Sequence, residues 1–304
     1  MGCDAQRAHG VAAESCAMTS TLAPLIARAL SFLFVPANRP ERISKALASG
    51  AGAVIVDLED AVPPDAKTPA RAQLTEAFKS LGAVDRARLV VRINASSTPW
   101  HEGDLELVRQ LAAEGLAAVM VPKAESTAEL AHVAAEIGTA CALLPLVESA
   151  AGLFAIEVLA ACPQVVRLAF GNLDFQADLG LTCGPDEAEL VSVRLAVVLA
   201  SRHAGLAAPV DGVTPDIANT ALLQADAARS RRGGFGAKLC IHPSQVGPVN
   251  AALAPSAAEL AWAHRVVLGD ATERGGVFVL DGKMVDAPVV LKARRLLAQA
   301  PGHV

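Results

Sequence analysis

Short apolar runs alternate with longer amphipathic stretches from about residue 31 to residue 250. The runs are Ser31–Pro36, Ala53–Glu59, Leu89–Asn94, Ala117–Pro122, Ala142–Glu148, Arg167–Asn172, Ala208–Val213 and Ala237–His242. Most are unbroken series of Val, Ile, Leu and Ala rather than apolar/polar alternations, the mark of strands buried on both faces in a parallel sheet. Between them the pattern predicts helices at about 40–49, 67–80, 103–114, 125–137, 150–161, 186–204 and 216–230, with a short one after 243. Ser126 before Thr127, Asn38 before Arg39-Pro-Glu-Arg42, and Pro215-Asp216 are the expected helix starts. Eight strand–helix units close a barrel, so the predicted class is α/β and the predicted fold a (β/α)8 TIM barrel. An open doubly wound sheet would call for a glycine-rich turn after the first strand, where this chain has Val35-Pro-Ala-Asn-Arg-Pro40.

Past residue 251 the pattern changes to a helical segment over Ser256–Leu268, a short strand and turn within Gly275–Asp286, and a basic helix to about 299. The predicted organisation is therefore a barrel over 30–250 and a C-terminal helical arm and lid over 251–304. Residues 1–20 read as a disordered extension, with Met18 a candidate start.

Composition sharpens this picture. Hydrophobic residues make up 53% of the 304 and aromatics only 3%, so the apolar excess is aliphatic and suits helices on a parallel sheet. A net charge of −5 gives no basic footprint for nucleic acid. No apolar run reaches 18 residues, and Asp4, Arg7 and Glu14 break any secretory leader, so neither a membrane span nor a signal peptide is expected. Six cysteines lack metal-type spacing, and a reducing cytoplasm is the expected home. The basic clusters Arg39/Arg42/Lys45, Arg229/Arg231/Arg232 and Lys292/Arg294/Arg295 could meet the phosphates of an anionic small ligand, with a solvated helix face the favoured reading of any one of them.

The C-terminal ends of parallel strands converge on one face of a barrel, and that is where chemistry is expected. Glu148 and Asp174 each follow a strand-like run, and two carboxylates completed by water suit Mg²⁺. Period two puts Arg92 on the same side of its strand as Val90 and Asn94, where its fork could meet a carboxylate or a developing enolate oxygen. Asp57, Glu59 and Asp60 close the second strand. Side-by-side acids repel, so the three fit supporting roles, orienting Arg92 or metal-bound waters, better than direct ligation, with Glu59 and Asp60 the catalytic candidates. His242, at the end of the eighth strand, could bind a cation or anchor its loop, with anchoring the favoured reading; His101, His132, His203 and His264 read as structural or solvated.

These residues also carry a resemblance. Ser31-Phe-Leu-Phe-Val-Pro36, Val56-Asp-Leu-Glu-Asp-Ala-Val62, Val91-Arg-Ile-Asn94, Leu146-Val-Glu-Ser149, Phe170-Gly-Asn-Leu-Asp-Phe175 and Lys238-Leu-Cys-Ile-His-Pro-Ser-Gln245, in order, resemble the HpcH/HpaI aldolase and citrate lyase β-subunit family, with the malyl-CoA/citramalyl-CoA lyases nearest in pattern. The first strand departs from the family's Arg-Ser and Pro-Gly ends, with Leu30-Ser31 and Pro36-Ala37 instead. The resemblance implies a barrel of the phosphoenolpyruvate/pyruvate type, a homotrimer or hexamer, and Mg²⁺ held by Glu148 and Asp174. It also implies Arg92 as the active-site arginine, contacting substrate with Glu148, and Asp286 as a catalytic acid/base on a lid contributed in trans.

The implied activity is a carbon–carbon (oxo-acid) lyase that splits a 3-hydroxyacyl-CoA into an acyl-CoA and a 2-oxo acid, or runs in reverse. Other readings stay open: a citrate lyase β subunit acting on a carrier-protein thioester, a CoA-free 4-hydroxy-2-oxo acid aldolase, and a non-catalytic CoA-ester sensor.

Overall fold

The computed structural model describes residues 23–299, so the expectation for residues 1–20 lies outside the described residues. Two compact units divide between Ala252 and Leu253.

In the first unit eight parallel strands close in sequence order: β1 (Ser31–Pro36), β2 (Ala53–Asp57), β3 (Leu89–Arg92), β4 (Ala118–Val121), β5 (Ala142–Val147), β6 (Ala169–Phe170), β7 (Val210–Asp211) and β8 (Ala237–Cys240). Side chains of one parity fill the interior, with large Phe32, Ile55, Val90, Met120, Leu144, Leu146 and Leu239 interleaved with Ala53, Ala118, Ala142, Ala169 and Ala237. Side chains of the other parity, such as Val54, Val91, Val119 and Leu143, are equally buried, which is why the runs show no polar alternation.

The N-terminal helix Pro24–Arg28 supplies Ile26 to the same core. Arg167, wholly buried, donates to the carbonyls of Ala29 (2.7 Å), Ile26 (3.2 Å) and Ala208, with its guanidinium over the Phe32 ring. It thus binds the chain before β1 to β6 and to the segment preceding β7.

Several boundaries differ from expectation. The sixth and seventh strands shrink to two residues each; the sixth ends where Asn172 begins a helix, Asn172–Leu179. The helix expected from 216 starts at Thr220, capped by Asn219; Asp216 spends its carboxylate on the N–H groups of Ala218 and Asn219 in the preceding turn. Ser126 caps its helix as expected, accepting from Ala128 N, whereas Pro40 rather than Asn38 precedes the helix Glu41–Ala48.

The second unit is built from two helices and a hairpin. Ser256 and Glu259 form a capping box at the start of Ala257–Thr272. The single strand expected here is an antiparallel pair, β9 (Phe278–Leu280) and β10 (Lys283–Val285). Asp281 and Gly282 join them, both at positive φ (52° and 72°), the tight-hairpin geometry that Asp-Gly favours. Asp286 caps the last helix, Ala287–Ala298. Ala263, Val266, Val285, Val290, Ala293 and Leu297 make a core internal to this unit.

Candidate active site

Strand parity carries three charged side chains upward from the barrel interior: Asp57 follows Ile55, Arg92 follows Val90, and Glu148 follows Leu146, each by two residues. Asp57 and Arg92 are direct partners in the β2–β3 ladder. Their side chains pair twice, Arg92 Nε to Asp57 Oδ1 and Nη2 to Oδ2, both at 2.7 Å. The remaining nitrogen, Nη1, lies 2.9 Å from Glu59 Oε2 and 3.3 Å from Asp60 Oδ2, while the ring of Phe34 sits 5.0 Å beneath the guanidinium. Burial alone would lower the Arg92 pKa, but Asp57, then Glu59 and Asp60, raise it well above the ordinary value. The guanidinium is therefore permanently charged and fixed in orientation.

Glu148 is 3% exposed. Its Oε1 accepts from Lys123 N at 2.7 Å. Burial, and next the Glu59 charge, push its carboxyl up to about 8, with Asp174 adding to the rise and the Lys123 N–H and Arg92 opposing it. Asp174 stands in the first turn of Asn172–Leu179, exposed to the cavity. Gly171 lets the two elements meet, since a Cβ there would lie 2.6 Å from Glu148 Oε2. Asn172 holds the start of this helix: its Oδ1 accepts from Val213 N (2.9 Å) and its Nδ2 donates to Glu187 Oε1 (2.9 Å). Glu187 is in turn fixed by Arg229 at 2.7 Å and by Arg194, which pairs with Asp211 at 2.9 Å.

Arg92, Asp57, Asp60, Glu148 and Asp174 line one cavity of about 750 Å³, walled below by Phe34, Leu146, Val213 and Leu239. The expected gathering of Arg92, Glu148 and Asp174 is thus present, with Asp60 at its rim. Glu59 stands behind Arg92 rather than in the cavity wall. Asp286 belongs to the second unit, where its Oδ1 accepts from Val289 N at 3.4 Å.

Of the two readings of the first basic cluster, the solvated face does not hold for Arg42 and Lys45, which line the cavity mouth beside His242. Arg229 likewise belongs to the ion-pair network just described. His242 acts locally, its Nδ1 2.7 Å from Ser244 Oγ, and His101 is structural, its Nδ1 2.8 Å from Asn94 O.

Sequence reasoning grouped Asp57 with Glu59 and Asp60 as acids that could orient Arg92 but did not single it out as the main partner. It missed Lys67, whose Nζ donates to Leu58 O (2.7 Å), Glu59 O (2.7 Å) and Asn94 Oδ1 (2.6 Å), and Lys123, whose Nζ donates to Glu59 Oε1 at 2.8 Å. Lys123 stands two residues past β4, so the rule that singled out Glu148 after β5 would have found it.

The donor set fits a hard divalent cation. Among the described residues no three His, Cys, Asp or Glu side chains converge into a complete metal cage. Two carboxylates, one buried without a neutralising cation of its own and one in open cavity, leave most coordination positions to water and substrate oxygens, as Mg²⁺ prefers.

The family model described as HpcH/HpaI aldolase/citrate lyase matches residues 30–243. A citrate lyase subunit beta-like protein of Deinococcus radiodurans is 36% identical over 277 residues, covering 88% of this chain and 96% of the relative. A (3S)-malyl-CoA thioesterase of Cereibacter sphaeroides is 34% identical over 273 residues, covering 89% and 94%. Among solved structures, CitE from Mycobacterium tuberculosis in complex with magnesium, acetoacetate and coenzyme A superposes with a TM-score of 0.76 at 37% identity, over 89% of this chain and 97% of that one.

Proposed function

The chain belongs to the HpcH/HpaI aldolase/citrate lyase family, and we propose that within it the protein is a Mg²⁺-dependent carbon–carbon lyase acting on a 3-hydroxyacyl-CoA of the malyl-CoA or citramalyl-CoA type. The products would be an acyl-CoA and a 2-oxo acid. The observation that carries this reading is the single cavity in which Arg92, locked by Asp57, faces Glu148 and Asp174.

Glu148 and Asp174 would hold the ion. Bound there, Mg²⁺ supplies Lewis-acid polarisation of the substrate's hydroxyl and carboxylate oxygens. As the carbon–carbon bond breaks, the substrate hydroxyl would lose its proton to solvent and become the 2-oxo acid's carbonyl, the bonding electron pair staying on the thioester as an enolate, and Arg92, charged and pre-oriented, donates to the oxygen where that charge develops. Phe34, Leu146, Val213 and Leu239 exclude water from the cavity floor, and Arg42 and Lys45 place positive charge at the mouth, where CoA phosphates would pass. Asp286 is assigned the proton transfer at the enolate carbon, from a neighbouring subunit of a homotrimer or hexamer in the cytoplasm.

A second reading, hydrolysis of the thioester, is favoured by the likeness to a protein named (3S)-malyl-CoA thioesterase. One experiment separates them: malyl-CoA, citramalyl-CoA and citryl-CoA incubated with the protein, with Mg²⁺ or with chelator, and the products weighed by mass spectrometry. A Mg²⁺-dependent 2-oxo acid with an acyl-CoA is the expected result; free CoA with the intact hydroxy acid means hydrolysis; no turnover of any ester removes the lyase reading.

A further inference from the structure

After β4 the chain turns at Lys123, whose φ of 45° lies in the left-handed region that residues with a Cβ seldom occupy. The turn releases the Lys123 N–H from the sheet, and the next N–H, of Ala124, returns to it at Leu146 O (3.2 Å). The released N–H meets Glu148 Oε1 at 2.7 Å, while the ammonium of the same residue meets Glu59 Oε1 at 2.8 Å. The other Glu59 oxygen lies 2.9 Å from Arg92 Nη1, an ion pair without the alignment of a hydrogen bond. One residue therefore touches the carboxylate on the cation side of the cavity and, through a single intermediary, the guanidinium on the other side.

We infer that Lys123 is a positioning residue that sets Glu148 and Arg92 in register with each other, its backbone acting on the first and its ammonium, through Glu59, on the second. The inference rests on the roles proposed for Glu148 and Arg92. Stability alone explains the arrangement poorly: the Lys123 side chain is 47% exposed, and an ion pair with one partner so open to solvent adds little to folding. The unusual φ has no local glycine to carry it, and it is this turn that aims the N–H at Glu148. Orientation of both carboxylates accounts for backbone and side chain together.

Because the two arms are separable, four variants test them, with Mn²⁺ affinity by electron paramagnetic resonance, pyruvate affinity of the Mn²⁺-loaded protein by calorimetry, kcat and KM for the ester it turns over, and melting temperature. Lys123→Met keeps the N–H and removes the ammonium; we expect Mn²⁺ affinity to stay within about threefold while pyruvate affinity or kcat falls roughly 10- to 100-fold, the usual effect of removing an outer partner. Lys123→Arg restores most of that loss. Lys123→Gly accepts the left-handed turn whereas a β-branched Lys123→Val does not, so Val should weaken Mn²⁺ binding about tenfold or more relative to Gly. Lys123→Met with a lower melting temperature but unchanged pyruvate affinity and kcat/KM would overturn the side-chain arm, and equal Mn²⁺ affinities in the Gly and Val variants would overturn the backbone arm. If the unaltered protein bound no Mn²⁺, the cation assignment of Glu148 itself would fall, and the inference with it.

Discussion

Glu148 is where burial and function pull in opposite directions. Its carboxyl titrates near 8 against an ordinary value of 4.5, so between those values the folded protein holds a proton that the unfolded chain has released. Stability of the metal-free protein should therefore fall as pH rises through that window, by up to ~1.4 kcal/mol per pH unit from this group. A cation needs the ionised form and displaces the proton, so the Mg²⁺-induced rise in melting temperature should be larger at pH 8 than at pH 6. Glu148→Gln should raise the metal-free melting temperature at pH 8 and abolish the Mg²⁺ increment. Scanning calorimetry at the two pH values checks both, and an increment that is equal at both pH values, or survives in Glu148→Gln, would take Glu148 out of the cation site. At this scale the sequence was legible where a charged residue ended an apolar run, as with Arg92 and Glu148. It was not legible where the deciding contact crossed strands: nothing in Val56-Asp-Leu-Glu-Asp60 tells which acid takes the bidentate pair, because that depends on Asp57 and Arg92 lying opposite each other in the ladder.

Elements were legible by the same logic and failed for a reason that can be named. Runs such as Ala142–Val147 are apolar on both faces and long enough to fix their own limits, whereas β6 and β7 are two residues each and owe their place to side chains distant in sequence. Arg167 is the case in point: a cation at the start of an expected strand gives no sign that it will be wholly buried against backbone carbonyls. Burial pushes its pKa down to about 9, and among the described residues its hydrogen-bond partners are backbone carbonyls rather than carboxylates. Its work is to satisfy the carbonyls of Ile26, Ala29 and Ala208 and so tie the chain ahead of β1 to β6 and to the lead-in of β7. Arg167→Leu fills much of the volume but strands those acceptors, at roughly 1–3 kcal/mol for each one left unpaired. The expected outcome is a drop in melting temperature with kcat, Mg²⁺ affinity and KM unchanged in the fraction that remains folded. A change in kcat or KM at full folding would show that this end of the barrel reaches the site.

At the scale of the whole molecule, the proposed chemistry draws on both compact units, for Arg92, Glu148 and Asp174 belong to the barrel and Asp286 to the C-terminal unit. If each lid serves a neighbour's barrel, two different inactive proteins should rescue one another. Gly171→Ala disables the barrel, since its new Cβ would stand 2.6 Å from the Glu148 carboxylate and must displace it, yet it leaves Asp286 intact. Asp286→Asn disables the acid and leaves the barrel able to take up cation. Neither alone should turn over substrate at more than a small fraction of the normal rate. Co-expressed in equal amounts and assembled at random into rings, they generate sites with an intact barrel and an intact neighbouring acid with a probability of one half for each, so turnover should recover to about a quarter of the unaltered enzyme's. Mixing without subunit exchange should recover nothing, which controls for residual activity in either parent. No recovery in the co-expressed assembly, despite confirmed mixed oligomers, would place the acid in the same chain as the barrel it serves.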